Sequence, residues 1–209
     1  MEQAPPEYDG APMLGEPPAI ELGNTIYAMR GRPRDALRTA LELVDWMRAM
    51  RPRLTVALTE DDLRAVGEDD PRMARELRDT VRALAGAAAN GREADPDAVA
   101  DAVAALNKLA RRTPWWRELR VDPEPRVVVS CADRPVTLAL TALADDAVRL
   151  FGGLSGAEVR ACHGPGCVLY FVHGAPRREY CSAGCGNRAR AARHYAKIRQ
   201  APDGATGSP

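Results

Sequence analysis

Two short strings near the carboxy terminus decide how this chain is read: Cys162-His163-Gly164-Pro165-Gly166-Cys167, and thirteen residues later Cys181-Ser182-Ala183-Gly184-Cys185-Gly186-Asn187-Arg188. A C-x4-C pair followed by a C-x3-C pair places four soft thiolates within reach of one tetrahedral Zn²⁺. Cys162, Cys167, Cys181 and Cys185 fill all four ligand positions. That leaves no site for an activated water and makes the metal structural rather than catalytic. A segment of about 40 residues buries too little surface to fold alone, so the metal is expected to supply much of its folding energy. The β-prone spacer 168–172 and the turn formers His173-Gly174-Ala175-Pro176 predict a short hairpin with one cysteine pair at each end. The competing readings are two disulfides or four reduced thiols without metal. His163 is a weaker ligand candidate because neighbouring residues seldom serve one site, and His173 belongs to the turn. Cys131 lies far upstream and reads as a small buried side chain.

A helix is predicted over 187–199, with Asn187 as its N-cap. At 100° per residue, Arg190, Arg193 and Lys197 fall within about 60° of one another. Ala192, Tyr195 and Ile198 are expected to pack on the knuckle or on the larger domain. Arg188 falls in the first turn, where the helix dipole disfavours a cation, so it is expected to have a specific partner: knuckle carbonyls or a DNA phosphate. The chain as a whole is neutral, but its charge is unevenly placed. Residues 1–159 carry 27 acidic and 21 basic side chains, whereas 160–200 carry eight basic residues against the single acid Glu179. A polyanion is therefore the natural partner of the carboxy-terminal segment, and DNA is the expected one. Arg188, Arg190, Arg193 and Lys197 are the candidate contacts, with Arg177 and Arg178 as a second pair on the backbone.

Upstream, 209 residues suffice for one sizeable core plus this appended module. Residues 1–18 hold five prolines and are expected to lack fixed structure. Residues 19–27 read as a short strand or extended lead-in, and 30–34 as a loop. A helix is predicted from residue 36 to about 50, capped by Asp35, with Leu37, Leu41, Val44 and Met47 or Trp46 inward. Thr59-x-x-Asp62 resembles a capping box, and Asp70-Pro71 and Asp95-Pro96 are helix start signals. These predict helices to about residue 90, and from 96 with Val99, Val103, Leu106 and Leu109 or Ala110 inward. Residues 115–121 and 126–131 predict a hairpin, followed by a helix over 136–151. The tail 201–209 is expected to lack structure. No apolar run approaches the ~18 residues of a membrane span, and residues 1–18 lack a signal-peptide layout, so a cytoplasmic protein is expected.

The Cys162, Cys167, Tyr180-Cys181-Ser182 and Cys185-Gly186-Asn187-Arg188 pattern, followed by a basic helix, resembles the CGNR zinc finger. That resemblance covers about 40 residues and implies zinc and DNA binding. Upstream, Asn24-Thr25 with Arg30, then helices, a hairpin and another helix, is similar to the ABATE-type domain that precedes this finger in stress-induced transcription regulators. Glu21-Leu22 stands where that family commonly has Asp-Phe, and many relatives have one more residue in the second cysteine pair.

The expectation is thus an α+β chain: a mainly helical domain with a small β-hairpin over 19–155, then a four-cysteine zinc knuckle with its basic helix over 160–200. The expected role is a transcription regulator that binds DNA through the finger, as a homodimer, while the first domain senses a small molecule or a partner. Asn24, Arg30, Trp115 and Trp116 are the candidate ligand contacts. The alternative is a zinc-dependent module docking on a protein of the transcription machinery. An enzyme is not expected, since residues 1–159 contain no histidine, no phosphate loop and no nucleophile–base pair.

Overall fold

The computed structural model describes Tyr8 and residues 10–154, 156–174 and 178–200. In chain order its elements are α1 (Pro18–Gly23), β1 (Ile26–Met29), β2 (Arg32–Asp35), α2 (Ala40–Met50), α3 (Glu60–Arg64), α4 (Asp69–Asn90), α5 (Pro96–Ala110), β3 (Trp115–Val121), β4 (Pro125–Cys131), α6 (Pro135–Phe151), β5 (Glu158–Ala161), β6 (Tyr170–His173) and α7 (Ala183–Gln200). The strands form three separate antiparallel pairs, β1–β2, β3–β4 and β5–β6.

Local signals set most helix boundaries. Thr59 and Asp62 form a complete capping box, and Asp95 accepts from the Asp97 N–H with Pro96 behind it. The helix predicted from residue 36 instead begins at Ala40. Thr39 and Glu42 form a reciprocal capping box there, while Asp35 accepts from the Leu37 N–H and pairs with Arg78. This shift turns Leu41 outward, 68% exposed, and puts Leu43, Trp46, Met47 and Met50 in the core. In α5 it is Ala102, with Leu106 and Leu109, that faces inward, and Val103 is exposed. Residues 19–23 are helical rather than extended, and the expected loop at 30–34 is the turn and second strand of β1–β2.

The core is built around α4 and α6. Buried Asp70, Met73, Ala74, Leu77, Val81 and Leu84 mark one wide stripe along α4. α6 is buried on nearly every side over its first half, as expected of a helix enclosed by others. Arg134, just before α6, makes a two-pronged ion pair with buried Asp70 at 2.8 and 2.7 Å. β3–β4 meets the core only at its base, through Trp115, Val129 and Cys131; Leu119, Val121 and Val127 toward its tip are exposed. Cys131, expected to be buried, is half-buried.

Residues 10–17 depart from the expectation of an unstructured start. Ala11 and Glu16 are buried, and the fully buried Glu21 carboxylate accepts from the Leu14 and Glu16 N–H groups. The rest of the expected amino-terminal tail (residues 1–7 and 9) and the tail 201–209 lie outside the described residues.

Leu77 is fully buried in the α4 stripe. Leu77→Ala should cost about 2–5 kcal/mol through reduced burial and a residual cavity. Urea unfolding should show a lower midpoint at unchanged slope; an unchanged midpoint would contradict the central position of α4.

Candidate metal centre and basic helix

β5 and β6 pair with Glu158 opposite His173 and Ala161 opposite Tyr170. The spacer strand therefore pairs upstream, with residues before the first cysteine pair; of the turn predicted at 173–176, residues 175 and 176 lie outside the described residues. The first pair consequently lies in the loop that joins β5 to β6. The Cys162 N–H continues the ladder to the Leu169 carbonyl at 2.9 Å, and the Cys167 N–H closes a turn on the Gly164 carbonyl at 2.9 Å. Gly166 has φ +69°, a conformation glycine adopts without penalty. A Cβ on Gly164 would stand 2.8 Å from the Cys185 Cβ, so glycine permits the two halves of the knuckle to meet.

The second pair is placed by α7. This helix starts at Ala183, four residues earlier than its sequence predicts. The Ser182 hydroxyl accepts from the Cys185 N–H at 3.3 Å, so Ser182 acts as the cap in place of Asn187. Cys181 thus precedes the cap and Cys185 sits in the first turn.

The four sulfurs lie within 4.8 Å of one another, with Cys167–Cys181 at 3.8 Å and Cys181–Cys185 at 3.4 Å. Tetrahedral zinc with Zn–S of about 2.3 Å sets sulfurs about 3.8 Å apart, so the donor set fits this metal. Without a cation the crowded thiols cannot all ionise. The hydrogen bond from the Cys181 thiol holds Cys167 down to about 5 and pushes Cys181 up, and burial pushes Cys162 up. A divalent metal removes that conflict. Backbone and side-chain donors also point at the sulfurs: the Cys181 N–H reaches Cys162 Sγ at 3.4 Å, and Arg188 Nη2 reaches Cys185 Sγ at 2.9 Å.

Residues 16–154 match the model of the ABATE family, described as "Putative stress-induced transcription regulator". The chain belongs to the ABATE family. Residues 158–198 match the CGNR zinc finger. No curated protein matches the chain. It is a zinc-finger regulatory protein, and neither family is an enzyme family. None of the described helices is long and apolar enough to cross a membrane.

The ABATE segment and the finger share one interface. The finger's small core, Leu169, Phe171 and three buried cysteines, also takes in Leu14 and Tyr27. Fully buried Asn24 accepts from the Tyr170 N–H and donates to its carbonyl, both at 2.9 Å. Arg82 of α4 donates to the Gly23 and Val168 carbonyls and lies over the Tyr170 ring; burial pulls its pKa below the usual arginine value. Glu16, 2% exposed, pairs with Arg178 and accepts from the Val172 N–H at 2.9 Å. Arg178 in turn donates to the Cys181 carbonyl at 2.9 Å and stacks on Phe171.

These contacts redistribute the candidate residues. Asn24 staples the two segments together rather than facing a ligand. Arg178 and Arg188 each make a contact at the metal centre, with Arg188 still exposed, and Arg177 lies outside the described residues. Arg190, Arg193 and Lys197 are exposed, with Arg190 on Asn187 and Arg193 on the Tyr180 hydroxyl at 3.1 Å. The expected packing of Ala192, Tyr195 and Ile198 does not occur: Tyr195 is 64% and Ile198 57% exposed. Arg30 sits exposed in the β1–β2 turn with φ 51°. Trp115 lines a small depression with Asp145 and Arg149, and exposed Trp116 donates to Glu118. Glu16 and Arg82 carry no sequence signal, whereas Ser182 is readable as a cap three residues before Cys185.

A hydrogen bond to a charged group is worth about 1.5–3 kcal/mol. Glu16→Gln and Arg188→Ala should therefore each speed zinc transfer to a chelator by about ten-fold or more. A colorimetric zinc-release assay reads this directly; unchanged release rates would show that neither side chain supports the finger.

Proposed function

We propose that this protein is a DNA-binding transcription regulator in which α7 contacts double-stranded DNA. The observation that carries the reading is the state of α7 beyond the metal. It leaves the knuckle with no acidic residue over 183–200, its surface from residue 190 to 199 is almost wholly exposed, and Arg190, Arg193 and Lys197 share one face. A projecting helix fits the major groove, and its cations displace counterions from phosphates. The zinc site sets where the helix begins, so DNA binding depends on the metal.

Single modules of this size bury about 600–1,000 Å² on DNA, which favours use of two copies. We include a homodimer in the proposal. The exposed apolar residues Leu119, Val121 and Val127 on the β3–β4 arm support it. The ABATE segment would then sense a small molecule and bias the finger it is packed against.

A second reading is a zinc-dependent module that docks on a protein of the transcription machinery. The exposed Tyr195 and Ile198 favour it, since an apolar helix edge suits a protein groove better than a phosphate backbone.

Anisotropy titration of a labelled random-sequence duplex across a salt series distinguishes the two. The zinc-loaded protein should bind steeply with falling salt, and chelation should abolish binding. Replacing Arg190, Arg193 and Lys197 with alanine should weaken binding and reduce the salt slope by about one for each phosphate no longer neutralised, with zinc content unchanged. Unaltered DNA affinity in that triple variant would move the function to the protein-docking reading.

A further inference from the structure

A cavity of about 870 Å³ lies between the β1–β2 hairpin and α2 of the ABATE segment, with Tyr8 and Gly10 from the preceding stretch completing its lining. Small-molecule sites typically enclose about 300–1,000 Å³ and combine apolar walls with a few polar groups. Here the apolar surface comes from Tyr8, Tyr27, Met29, Pro33, Ala49 and Pro52. Tyr8 is desolvated enough that burial raises its hydroxyl pKa to about 12.

The charges on the wall decide what such a cavity would accept. Its three acids are each ion-paired: Glu42 with Arg38, Asp35 with Arg78, which Asp79 shares, and Asp45 with Arg48, which Glu60 shares. Arg34 also lines the cavity, and among the described residues its side chain has no ion-pair or hydrogen-bond partner. The side chains of Arg30 and Arg32, on the same hairpin, are likewise unpaired among the described residues, and exposed. The unpaired charge on the wall is therefore a cation, Arg34, beside an aromatic and aliphatic lining. A guanidinium pairs best with a planar carboxylate, and neighbouring cations steer an anion toward it.

We propose that this cavity is a binding site for a small amphipathic monoanion, with a flat apolar body against Tyr27 and Ala49 and its carboxylate on Arg34. The site lies apart from Asn24, Trp115 and Trp116, and the only one of the sequence candidates it retains is Arg30, as a steering charge. One wall is supplied by Gly10, at the start of the segment that ends on Glu16 and so on Arg178 and the Cys181 carbonyl. An occupant of the cavity therefore meets the same stretch of chain that braces the zinc finger. This assignment rests on the reading that the ABATE segment is a sensor, but binding can be measured without DNA.

The test is calorimetric titration of the full-length, zinc-loaded protein with 2-naphthoate and with its uncharged analogue 2-naphthamide. The carboxylate should bind saturably with one site per chain, and the amide about ten-fold more weakly or worse. Arg34→Gln, at an exposed position that should not disturb folding, should weaken the carboxylate by about ten-fold and leave the amide unchanged. Ala49→Trp should fill the cavity and abolish binding of both. No saturable binding of 2-naphthoate by about 1 mM, equal affinity for acid and amide, or full binding in Ala49→Trp would each overturn the site. Anisotropy with and without 2-naphthoate then separates the two claims. Binding that leaves DNA affinity unchanged supports the site and removes the sensor reading.

Discussion

Four sulfurs held within 4.8 Å of one another can all be ionised only around a cation, and the carboxy-terminal part of the molecule depends on that constraint. The finger's own core is small: Leu169 and Phe171 with three buried cysteines. Burial on that scale does not hold two four-residue strands and the start of a helix in one geometry. The metal does so by joining four points of the chain: Cys162 follows β5, Cys167 lies in the loop before β6, and Cys181 and Cys185 lie on either side of the α7 cap. The direction of α7 is therefore set at its root. A helix fixed in this way needs no packing along its length, which is why its surface from residue 190 onward can remain exposed.

The ABATE segment supplies what the metal does not. Glu16 and Glu21 are buried acids, and each has an arginine partner, Arg178 and Arg53. A buried ion pair repays its desolvation only when the remaining polar atoms are also satisfied. Both carboxylates meet that condition by accepting backbone N–H groups as well. Such a pair contributes geometry more than net stability. An apolar pair of equal volume could fill the space, but it could not hold the Cys181 carbonyl or the Val172 N–H in place. The matched segments 16–154 and 158–198 are distinct in sequence yet packed as one unit.

What is legible in the sequence is what local chemistry determines. The cysteine spacing identifies the ligand set, and Thr59-Asp62, Asp95-Pro96 and the 115–131 hairpin fall where turn and cap residues put them. Errors arise where two local signals compete or where the partner is remote. Asp35 and Thr39 are both good caps, and Thr39 prevails because Glu42 completes its box while Arg78, 43 residues away, takes Asp35. The partner of β6 is hidden because the turn-forming residue types at 173–176 suffice to predict a downstream hairpin, whereas β5 also rests on α4. Residues 10–17 give no sign of order, because proline and glutamate read as solvated until Arg53 is brought to Glu21 from 32 positions along the chain and Arg178 to Glu16 from 162. Asn24 reads as a ligand group because a lone asparagine's backbone partner, 146 residues distant, leaves no trace in its neighbours.

The arginines of the finger divide by helix rotation. Arg188 lies three residues after Cys185 and reaches its sulfur; Arg190, two residues further, is turned by about 200° to the opposite side. A zinc ion with four thiolates carries a net charge of about −2, which would otherwise draw nearby cations onto the metal centre. Arg188 meets that charge directly from inside the first turns of α7, and Arg178 holds the adjoining carbonyl of Cys181. The charge of the knuckle is thus answered by two arginines whose guanidinium groups are turned to the metal centre. Arg190, Arg193 and Lys197 have no acid near them on the helix and are left with their charge facing solvent. The same two-residue step that commits one arginine to the metal frees the next for a polyanion, and a one-residue change in the spacing after Cys185 would undo both assignments together.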